Sequence, residues 1–316
     1  RPDSFDQTRF QIRHALVRAG ANELLTYNFL SSNTLKKTGE TPENAYRLVN
    51  SLSPELEYYR SSLLPSLLAK VHSNHKLGYD AFALFELNKT HSKKEMDDDK
   101  LPRERNELAL VWSAADKFTK QYPGAAFYQA KRYLGYLGNN LQLNFRYQLL
   151  ADAALPEWLQ LRSGCFEPKH SAVIMVTDQP IGVIGEINVN VAKNLKLPRL
   201  VAGFEADTEL LHQARSAASS YRPLSKYPGT GKDMTLRVTS DMQYEEIVSA
   251  IDEVLKHESL ETGIKPIDIY QSDDDTEHKN ITLRLTLTDH QKTITTERAN
   301  AIVAKAAAAI PGAKQV

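Results

Sequence analysis

Cysteine is almost absent from the sequence, since Cys165 is the single cysteine among 316 residues. One thiol excludes a disulfide within the chain, and a low cysteine content is typical of a reducing compartment. The sequence also lacks an apolar run near the roughly 20 residues of a membrane-spanning helix, and its N-terminal stretch has no signal-peptide core. We therefore expect a cytoplasmic protein with no membrane partner. Because residue 1 is arginine and not methionine, we expect an excised fragment or a processed chain.

An excess of charge of one sign is lacking too, because 39 lysines and arginines balance 39 aspartates and glutamates. A protein that coats nucleic acid is usually basic, so the balanced charge argues against that class. A balanced total charge is still compatible with a local basic face. The length allows two domains of about 100–200 residues each. The stretch around Leu211–Ser220, which ends in the small residues Ala217–Ser220, is the predicted boundary, and it separates residues 1–215 from residues 220–316.

Residues 1–215 contain more strand patterns than helix patterns. Apolar residues at helical spacing predict a helix over Phe5–Ala19, and a second helix opens around Arg60–Pro65. The charge-rich segment Lys93–Arg105 predicts a solvated loop. Because the strands do not alternate strictly with helices, we expect an α+β domain with a mixed or antiparallel sheet. The predicted strands are Glu23–Phe29, a short strand within Tyr46–Pro54 that closes into a turn, Ala81–Leu87, Glu107–Trp112, Ala172–Val176, Ile181–Ile187 and Leu200–Ala206.

Residues 220–316 show a more regular pattern, which predicts a compact ferredoxin-like (RRM-like) βαββαβ module. Thr295 or Thr296 is expected to cap its last helix. The predicted strands are Met234–Thr239, Lys265–Tyr270, Asn280–Leu287 and Ala313–Val316, and the predicted helices are Tyr244–Lys256 and Thr295–Ala309.

The alternation along these strands separates an apolar face from a polar face. Met234, Leu236 and Val238 share one face of the first strand, and the apolar residues of Ile281–Leu287 are their counterparts. The helices can cover only the apolar face, so the other face is open to water or to a ligand. That polar face carries Thr235, Arg237, Thr239, Thr282, Arg284 and Thr286, with Tyr270 at its margin.

The segment Ser225–Met234 is a Pro/Gly-rich, positively charged loop that leads into the first strand of this module. It offers exposed backbone N–H groups, Lys226, Lys232 and the ring of Tyr227 to a partner. We expect Asp233 to hold the loop by accepting bonds from backbone N–H groups, as short acidic residues do in turns.

Four motifs follow one another along residues 1–215. They are Asn50–Glu55 with Tyr59–Leu68, then Leu84–Leu87, then Gly182–Asn188, and finally Phe204-Glu205. Their order and spacing, together with the C-terminal loop, resemble the C-terminal part of the bacterial phenylalanyl-tRNA synthetase β subunit. The resemblance covers nearly the whole chain.

The resemblance implies a non-catalytic domain of the class II synthetase type, followed by a ferredoxin-fold anticodon-binding domain. It implies a structural part of phenylalanine–tRNA ligase that supports the catalytic α subunit in an α2β2 heterotetramer and binds the anticodon region of tRNA-Phe. ATP and magnesium would be used by the complex, and we expect this fragment to bind no cofactor or metal. The helix Phe5–Ala19 takes the place of the class II dimerisation motif, which implies a subunit interface there.

The absence of arginine at two positions supports a non-catalytic domain. A class II active site neutralises the phosphates of ATP with guanidinium groups. The segments Phe85–His91 and Gly203–Glu205, which should supply them, contain no arginine, and Glu205 would repel phosphate. We therefore expect no adenylation by this chain. Arg60 either binds an anion at the start of the following helix or braces the turn.

The resemblance also implies a tRNA-binding set in the second domain. Aromatic faces stack on unpaired bases, and basic side chains neutralise phosphates. Family members usually carry two arginines where Gly231 and Lys232 stand here. Residues 220–316 hold 12 lysines and arginines against 15 aspartates and glutamates, so a local patch is expected to bind the RNA. The predicted residues are Ser225, Lys226, Tyr227, Lys232, Arg237, Tyr270 and Arg284.

Two other functions stay open on the sequence. A free-standing class II-fold enzyme that adenylates a small acid would show ATP–pyrophosphate exchange. A regulatory module that binds an amino acid would be stabilised by that amino acid and would not respond to tRNA. Fold alone does not separate these functions. Cys165 and His170 suggest a thiol nucleophile, but no third group orients them, so an inert buried thiol is expected.

Overall fold

The computed structural model of the protein describes residues 4–96, 101–122, 124–216, 223–272 and 274–316. The chain divides into two compact units, Arg1–Ser219 (unit 1) and Ser220–Val316 (unit 2). Residues 211–216 of the predicted boundary stretch belong to a helix, Thr208–Ser216, and its remainder, 217–220, lies outside the described residues. The centre of the predicted charged loop, 97–100, lies outside them too. Within the described ranges, every helix is too short or too polar to span a lipid bilayer.

Unit 1 is built on a seven-stranded sheet with the strand order β1-β4-β5-β9-β8-β7-β6. All neighbouring strands run antiparallel except β1 and β4, which are parallel. A separate ribbon pairs β2 with β3. The strands are β1 (Asn22–Glu23), β2 (Phe29–Leu30), β3 (Tyr58–Tyr59), β4 (Ala81–Met96), β5 (Pro102–Ala114), β6 (Phe145–Leu149), β7 (Phe166–Val176), β8 (Gln179–Ile187) and β9 (Leu200–Asp207).

Both faces of this sheet are covered, which explains why its central strands are almost continuously apolar. One face packs on α1, α4 and α7, and the opposite face packs on α3, α5 and α6. The helices of unit 1 are α1 (Ser4–Arg18), α2 (Ser32–Lys37), α3 (Leu64–Lys76), α4 (Phe127–Leu141), α5 (Glu157–Ser163), α6 (Val189–Leu195) and α7 (Thr208–Ser216), with short 3-10 turns at Pro42–Asn44, Asp116–Phe118 and Leu150–Asp152.

Three predictions for unit 1 need correction. The predicted strand Glu23–Phe29 forms ladder pairs only at its two ends, in β1 and β2. The short strand predicted within Tyr46–Pro54 is reduced to a single bridge between Arg47 and Tyr58. The segment predicted as a solvated loop continues β4 as far as Met96 and begins β5 at Pro102, so its flanks are strand.

Unit 2 has the predicted βαββαβ order and a four-stranded sheet arranged β11-β12-β10-β13. Its strands are β10 (Thr230–Thr239), β11 (Glu261–Tyr270), β12 (His278–Thr288) and β13 (Lys314–Gln315), and its helices are α8 (Tyr244–Lys256) and α9 (Thr296–Ala308). The Thr295 side chain caps α9 by accepting from the backbone N–H of Arg298, as predicted.

The helices cover one face of the sheet in unit 2, as the alternation predicted. Met234, Leu236 and Val238 of β10 are buried with four apolar residues of β12 against α8 and α9. The strand β10 begins at Thr230, four residues earlier than predicted, and so includes residues assigned to the loop. The opposite face, called here the open face, carries the side chains of alternate residues in β10, β11 and β12.

Candidate functional site

The register of unit 2 arranges the open face in four rows that cross β10, β12 and β11. Successive rows along a strand lie about 7 Å apart, because side chains on one face recur every second residue. From the loop end to the far end the rows are Gly231–Thr286–Gly263, Asp233–Arg284–Lys265, Thr235–Thr282–Asp268 and Arg237–Asn280–Tyr270. Asn280 and Lys265 belong to this face but were not among the predicted site residues.

The second row contains a two-point ion pair between Arg284 and Asp233. The Arg284 Nε lies 2.6 Å from Asp233 Oδ1, and Nη2 lies 2.8 Å from Oδ2. The bond from Arg284 lowers the pKa of Asp233, and the same bond raises the pKa of Arg284. The predicted role of Asp233 in holding the loop is therefore wrong, because its carboxylate accepts from a side chain on the neighbouring strand.

The far row places a cation and an aromatic ring on either side of Asn280. Arg237 donates from Nη2 to Asp275 Oδ2 at 2.6 Å, and His278 Nδ1 lies 3.2 Å from the other oxygen of that carboxylate. Tyr270 has 58% of its surface exposed. This end of the open face thus offers a free aromatic ring, beside an arginine whose charge is already matched.

The loop at the opposite end is held by Ser225. Its hydroxyl donates to the backbone carbonyl of Asp289 at 2.9 Å and accepts from the backbone N–H of Tyr227 at 3.0 Å. A Cβ on Gly229 would lie 2.5 Å from the Thr288 hydroxyl, so a larger residue there would force this side chain or the loop to shift. Ser225 positions the loop, while Lys226 and Tyr227 are exposed.

The seven predicted residues extend along the sheet and do not form one pocket. The loop is anchored at Asp289, whereas Tyr270 pairs with Asn280, nine residues earlier in the chain. This separation corresponds to about 30 Å of extended strand. Lys232 pairs with Leu285 and is half-buried, so alternation places it on the side of the sheet that the helices cover.

Lys265 is the cation that the sequence reasoning missed. It is exposed in the same row as Arg284, on β11. Among the described residues neither Lys265 nor Lys226 has a carboxylate within ion-pair distance, in contrast to Arg237 and Arg284. A bulge between Pro266 and Asp268 shifts the alternation of side chains along β11. Counting every second residue back from Tyr270 therefore does not assign Lys265 to the open face.

Unit 1 carries a second arrangement of charged residues, on the face that packs on α3 and α5. Arg60 and Glu86 are both fully buried, with Nη2 3.0 Å from Oε1. Arg60 also donates to the Thr26 hydroxyl at 2.6 Å and to the Asn28 side-chain oxygen at 2.9 Å. Of the two roles left open for Arg60, bracing is the one that this geometry supports.

Glu205 accepts hydrogen bonds at the start of α3. Its carboxylate accepts from the Ser62 hydroxyl at 2.6 Å and from the backbone N–H groups of Leu63 at 2.8 Å and Leu64 at 3.2 Å. The N-terminus of a helix is a natural site for an anion. Here the anion is a carboxylate of the chain itself, so no donor of this helix end is left for a phosphate.

A further set of buried side chains, called here the charge cluster, joins β4, β5, β9 and α5. Arg162 donates from Nε to Glu107 Oε1 at 2.7 Å and from Nη1 to Glu95 Oε2 at 3.0 Å. Arg105 donates from Nη1 to Asp207 Oδ2 at 2.7 Å and also contacts Glu95. Both guanidinium groups therefore bind carboxylates of the chain, and neither is available to neutralise ATP. The cluster consists of Glu95, Arg105, Glu107, Arg162, Glu205 and Asp207.

The environment of Cys165 does not support a nucleophile. The thiol is buried and lies 3.4 Å from the backbone carbonyl of Thr38. Burial raises the pKa of Cys165 well above its ordinary value, and the nearby Glu40 and Glu205 raise it further. His170 lies on the surface against Glu186 at 3.2 Å. The expected inert thiol is the interpretation that agrees with this geometry.

Comparison with known families gives two adjacent matches. The family described as the phenylalanyl tRNA synthetase beta chain CLM domain matches residues 1–208. The family described as the ferredoxin-fold anticodon binding domain matches residues 225–314. The two matches fall in unit 1 and unit 2, respectively.

Comparison with curated proteins gives relatives with one name. The phenylalanine–tRNA ligase beta subunit of Carboxydothermus hydrogenoformans is 28% identical over 320 residues, which cover 96% of this chain and 38% of that protein. The phenylalanine–tRNA ligase beta subunit of Fusobacterium nucleatum is 25% identical over 289 residues, which cover 90% of this chain and 34% of that protein. The chain thus spans less than two fifths of the length of these relatives.

Among solved structures, the pyrrolysyl-tRNA synthetase of Desulfitobacterium hafniense is similar in fold. It superposes with a TM-score of 0.51 at 13% sequence identity, over 68% of this chain and 70% of that one. The fold prediction, a synthetase-type antiparallel sheet followed by a ferredoxin-like module, is confirmed.

Proposed function

Since this chain belongs to the phenylalanyl-tRNA synthetase β-chain family, we propose that it is a structural and tRNA-binding part of a phenylalanine–tRNA ligase. In this proposal unit 1 supports a catalytic α subunit in an α2β2 assembly, and unit 2 binds the anticodon region of tRNA-Phe. The α subunit performs the ATP- and magnesium-dependent attachment of phenylalanine, in the cytoplasm. The observation that carries the proposal is the match of both families, in order, over nearly the whole chain.

The buried charges of unit 1 support a role without catalysis. An adenylating site needs cationic donors that are free to meet phosphate oxygens. Arg60 and the two arginines of the charge cluster are bonded to carboxylates of the chain, and Glu205 occupies the start of α3. The residues present on this face do not fit ATP. Neither alternative, the free-standing adenylating enzyme or the amino-acid-binding module, gains support from a feature of the structure.

The exposed side of α1 supports a subunit interface. Ile12, Ala15 and Leu16 are buried against the sheet, whereas Phe10 and Val17 are 58% and 56% exposed. The rings of Phe10 and His14 are in contact on this exposed side, with centroids 4.1 Å apart and planes tilted by 38°. Phe10 and Val17 form a narrow apolar stripe on an otherwise polar outer side, which fits a helix that packs on a second partner. We assign this stripe to the contact with the α subunit.

The open face of unit 2 supports binding of a single-stranded segment of RNA. Such segments bind to aromatic rings that stack on bases and to cations that follow the backbone. Tyr227 and Tyr270 supply exposed rings near the two ends. Lys226 and Lys265 are exposed cations that have no carboxylate partner within the described part of the chain. The length of the face suits several unpaired nucleotides and exceeds what a free amino acid would need.

A titration with RNA hairpins tests the tRNA-binding half of the proposal. The chain is added to a fluorescent hairpin with the anticodon stem and loop of tRNA-Phe. The control is a matched RNA in which the nucleotides of that loop are base-paired with a complementary strand. We expect tighter binding of the unpaired loop. Equal binding of both RNAs would contradict the proposal. An ATP–pyrophosphate exchange assay with phenylalanine tests the absence of catalysis, and a signal above background would contradict it.

A further inference from the structure

Two glutamates lie side by side on the face of the unit 1 sheet that packs on α3, α5 and α6. In the register of β5 and β9, Glu107 pairs with Asp207 and Ala109 pairs with Glu205. Glu107 and Glu205 are therefore diagonal neighbours on one face, close enough for long side chains to meet. Each residue is only 1% exposed. Two ionised carboxylates in such a position would repel one another without screening by water.

The hydrogen bonds of the two carboxyl groups differ in a way that assigns the proton. Both oxygens of Glu205 accept from donors of the chain, since Oε1 accepts from one backbone N–H and Oε2 accepts from a hydroxyl and a second N–H. Oε1 can accept one further hydrogen bond. Glu107 Oε1 accepts from Arg162 Nε, but Glu107 Oε2 is buried with no partner among the described residues. A buried carboxylate oxygen without a donor is costly, and a proton on that oxygen removes the cost.

The surrounding charges favour uptake of a proton. The groups that face the pair are Arg105 on β5, Arg162 on α5, Glu95 on β4, Asp207 on β9 and Glu40 in the loop after α2. With Glu107 and Glu205 this makes two guanidinium groups against five carboxyl groups, an excess of three negative charges if all were ionised. Glu86 on β4 is a diagonal neighbour of Glu107 as well, and its ion pair with Arg60 adds one charge of each sign and leaves this excess unchanged. Burial raises the pKa of Glu107, Arg162 opposes this, and the charge of Glu205 raises it again.

We propose that Glu107 is protonated at Oε2 in the folded protein and donates this proton to the carboxylate of Glu205. The pair then forms a carboxyl–carboxylate hydrogen bond that takes up one proton when unit 1 folds. This proton site lies inside a domain with no proposed catalysis, and nothing in the proposed function requires it. Its consequence is a fold that is weakened in alkaline solution.

The direction of the pH dependence follows from the raised pKa of Glu107. Between the ordinary glutamate pKa of about 4.3 and the raised value in the fold, the folded state holds one proton more than the unfolded state. The folding equilibrium constant therefore falls about tenfold per pH unit from this group as the pH rises through that window. Below this pH window the pair makes its full contribution to the stability of the fold.

The variant Glu107→Gln mimics the proposed state. Its amide oxygen can accept from Arg162, and its NH2 group can donate to Glu205 without any titration. Urea unfolding of the full chain is followed between pH 5 and pH 8 by tryptophan fluorescence, which reports unit 1 because Trp112 and Trp158 are the only two tryptophans. For each rise of one pH unit within the window, we expect the folding constant of the natural chain to fall by a factor about ten times larger than the factor for the variant. An unchanged pH dependence would overturn the proposal.

Two control variants make the test specific. Glu205→Gln would point an NH2 group at donors that need an acceptor, so we expect a loss of stability at every pH. Glu55→Gln removes an exposed carboxylate and should leave the pH dependence unchanged. Equal losses from Glu107→Gln and Glu205→Gln would mean that both carboxylates are ionised, and the proposal would fail.

If Glu107→Gln does not fold, infrared spectroscopy replaces the unfolding experiment. The variant Glu40→Gln is used as the parent, because Glu40 is itself expected to be protonated near neutral pH. We expect the carbonyl band of one buried, protonated carboxyl group at pH 7. The absence of that band would overturn the proposal.

Discussion

The guanidinium of Arg60 lies 3.0 Å from the carboxylate of Glu86, and neither side chain is exposed to solvent. Arg60 reaches this carboxylate from the turn before α3, and Glu86 lies in the centre of β4. The pair therefore joins a loop to the central sheet. It also leaves the Arg60 guanidinium bound to a carboxylate of the chain and not available to a phosphate.

Removing the carboxylate of this pair should be costly. Glu86→Leu leaves the charge of Arg60 buried without its partner, and we expect a loss of about 3–5 kcal/mol in the free energy of unfolding. Urea unfolding followed by tryptophan fluorescence measures the loss. Glu57→Leu is the matched control, because Glu57 pairs with the largely exposed Arg47 and should cost less than about 1 kcal/mol. Similar losses for the two variants would contradict the bracing role.

Releasing Arg284 should strengthen RNA binding. Asp233→Asn removes the carboxylate that holds the Arg284 guanidinium at two points, so this cation becomes available to a phosphate. We expect tighter binding of tRNA-Phe and a slope of log K against log salt that is steeper by about 0.7. Asp178→Asn removes an exposed carboxylate in unit 1 and should leave both quantities unchanged. A null result for Asp233→Asn would exclude Arg284 from the interface.

Truncating the exposed ring at the far end of the open face should weaken binding. We expect Tyr270→Ala to reduce the binding free energy for the anticodon hairpin by about 1–3 kcal/mol, the range for one stacked base. Tyr79→Ala is matched in exposure, since Tyr79 in unit 1 is 59% exposed against 58% for Tyr270. If both variants bind the hairpin equally well, Tyr270 does not stack on a base.

The two sides of the unit 2 sheet should differ in their response to loss of a lysine. Lys265 is exposed on the open face, whereas Lys232 is half-buried on the helix-covered side. We expect Lys265→Ala to reduce the salt slope by about 0.7, and Lys232→Ala to leave it unchanged. Salt titrations of hairpin binding measure the two slopes. The reverse result would place the RNA on the opposite side of the sheet.

Glu40 should make unit 1 less stable as the pH rises. Burial raises the pKa of Glu40 to about 7, although a hydrogen bond from Ser61 lowers it. Its proton therefore stabilises the fold fully below the ordinary value of about 4.3, and the effect is lost at about 1.4 kcal/mol per pH unit as the pH rises to 7. Glu40→Gln should remove this part of the pH dependence in urea unfolding. A variant with the pH dependence of the natural chain would show that Glu40 is already ionised in the fold.

The architecture of unit 2 could be predicted because it depends on local patterns. The helix Tyr244–Lys256 has the predicted bounds, and strict alternation in Ile281–Leu287 assigned the two faces correctly. The start of β10 could not be predicted, because Pro228, Gly229 and Gly231 are typical of turns. The early start places Lys232 on the covered side of the sheet and Asp233 in the open-face ion pair, which a loop assignment could not reveal.

The charge cluster could not be predicted, because its partners are distant in the chain. Glu205 meets Ser62 across 143 positions, and Arg162 meets Glu107 across 55. Charged residues near a predicted loop are normally solvated, yet Arg105 is only 9% exposed because Glu95, Asp207 and the ring of Trp158 surround it. Their burial depends on three strands and α5 coming together, which no single segment encodes.

The helix α4 was missed for a related reason. Its sequence, Phe127–Leu141, contains Gly135 and Gly138, which lower helix propensity. A Cβ on Gly138 would lie 2.9 Å from the carbonyl oxygen of Leu143 and from the ring of Phe145. Gly138 is therefore required by tertiary packing at the end of the helix. Helix propensity alone wrongly argues against a helix in this segment.

Docking on the α subunit is measured by mixing the chain with a phenylalanyl-tRNA synthetase α subunit and determining the mass of the eluted species by light scattering. We expect a shared peak with the mass of a heteromeric assembly. We also expect Phe10→Glu, which places a charge in the exposed stripe of α1, to abolish that peak without unfolding unit 1. Separate peaks for the natural chain and the α subunit would show that unit 1 does not support the α subunit.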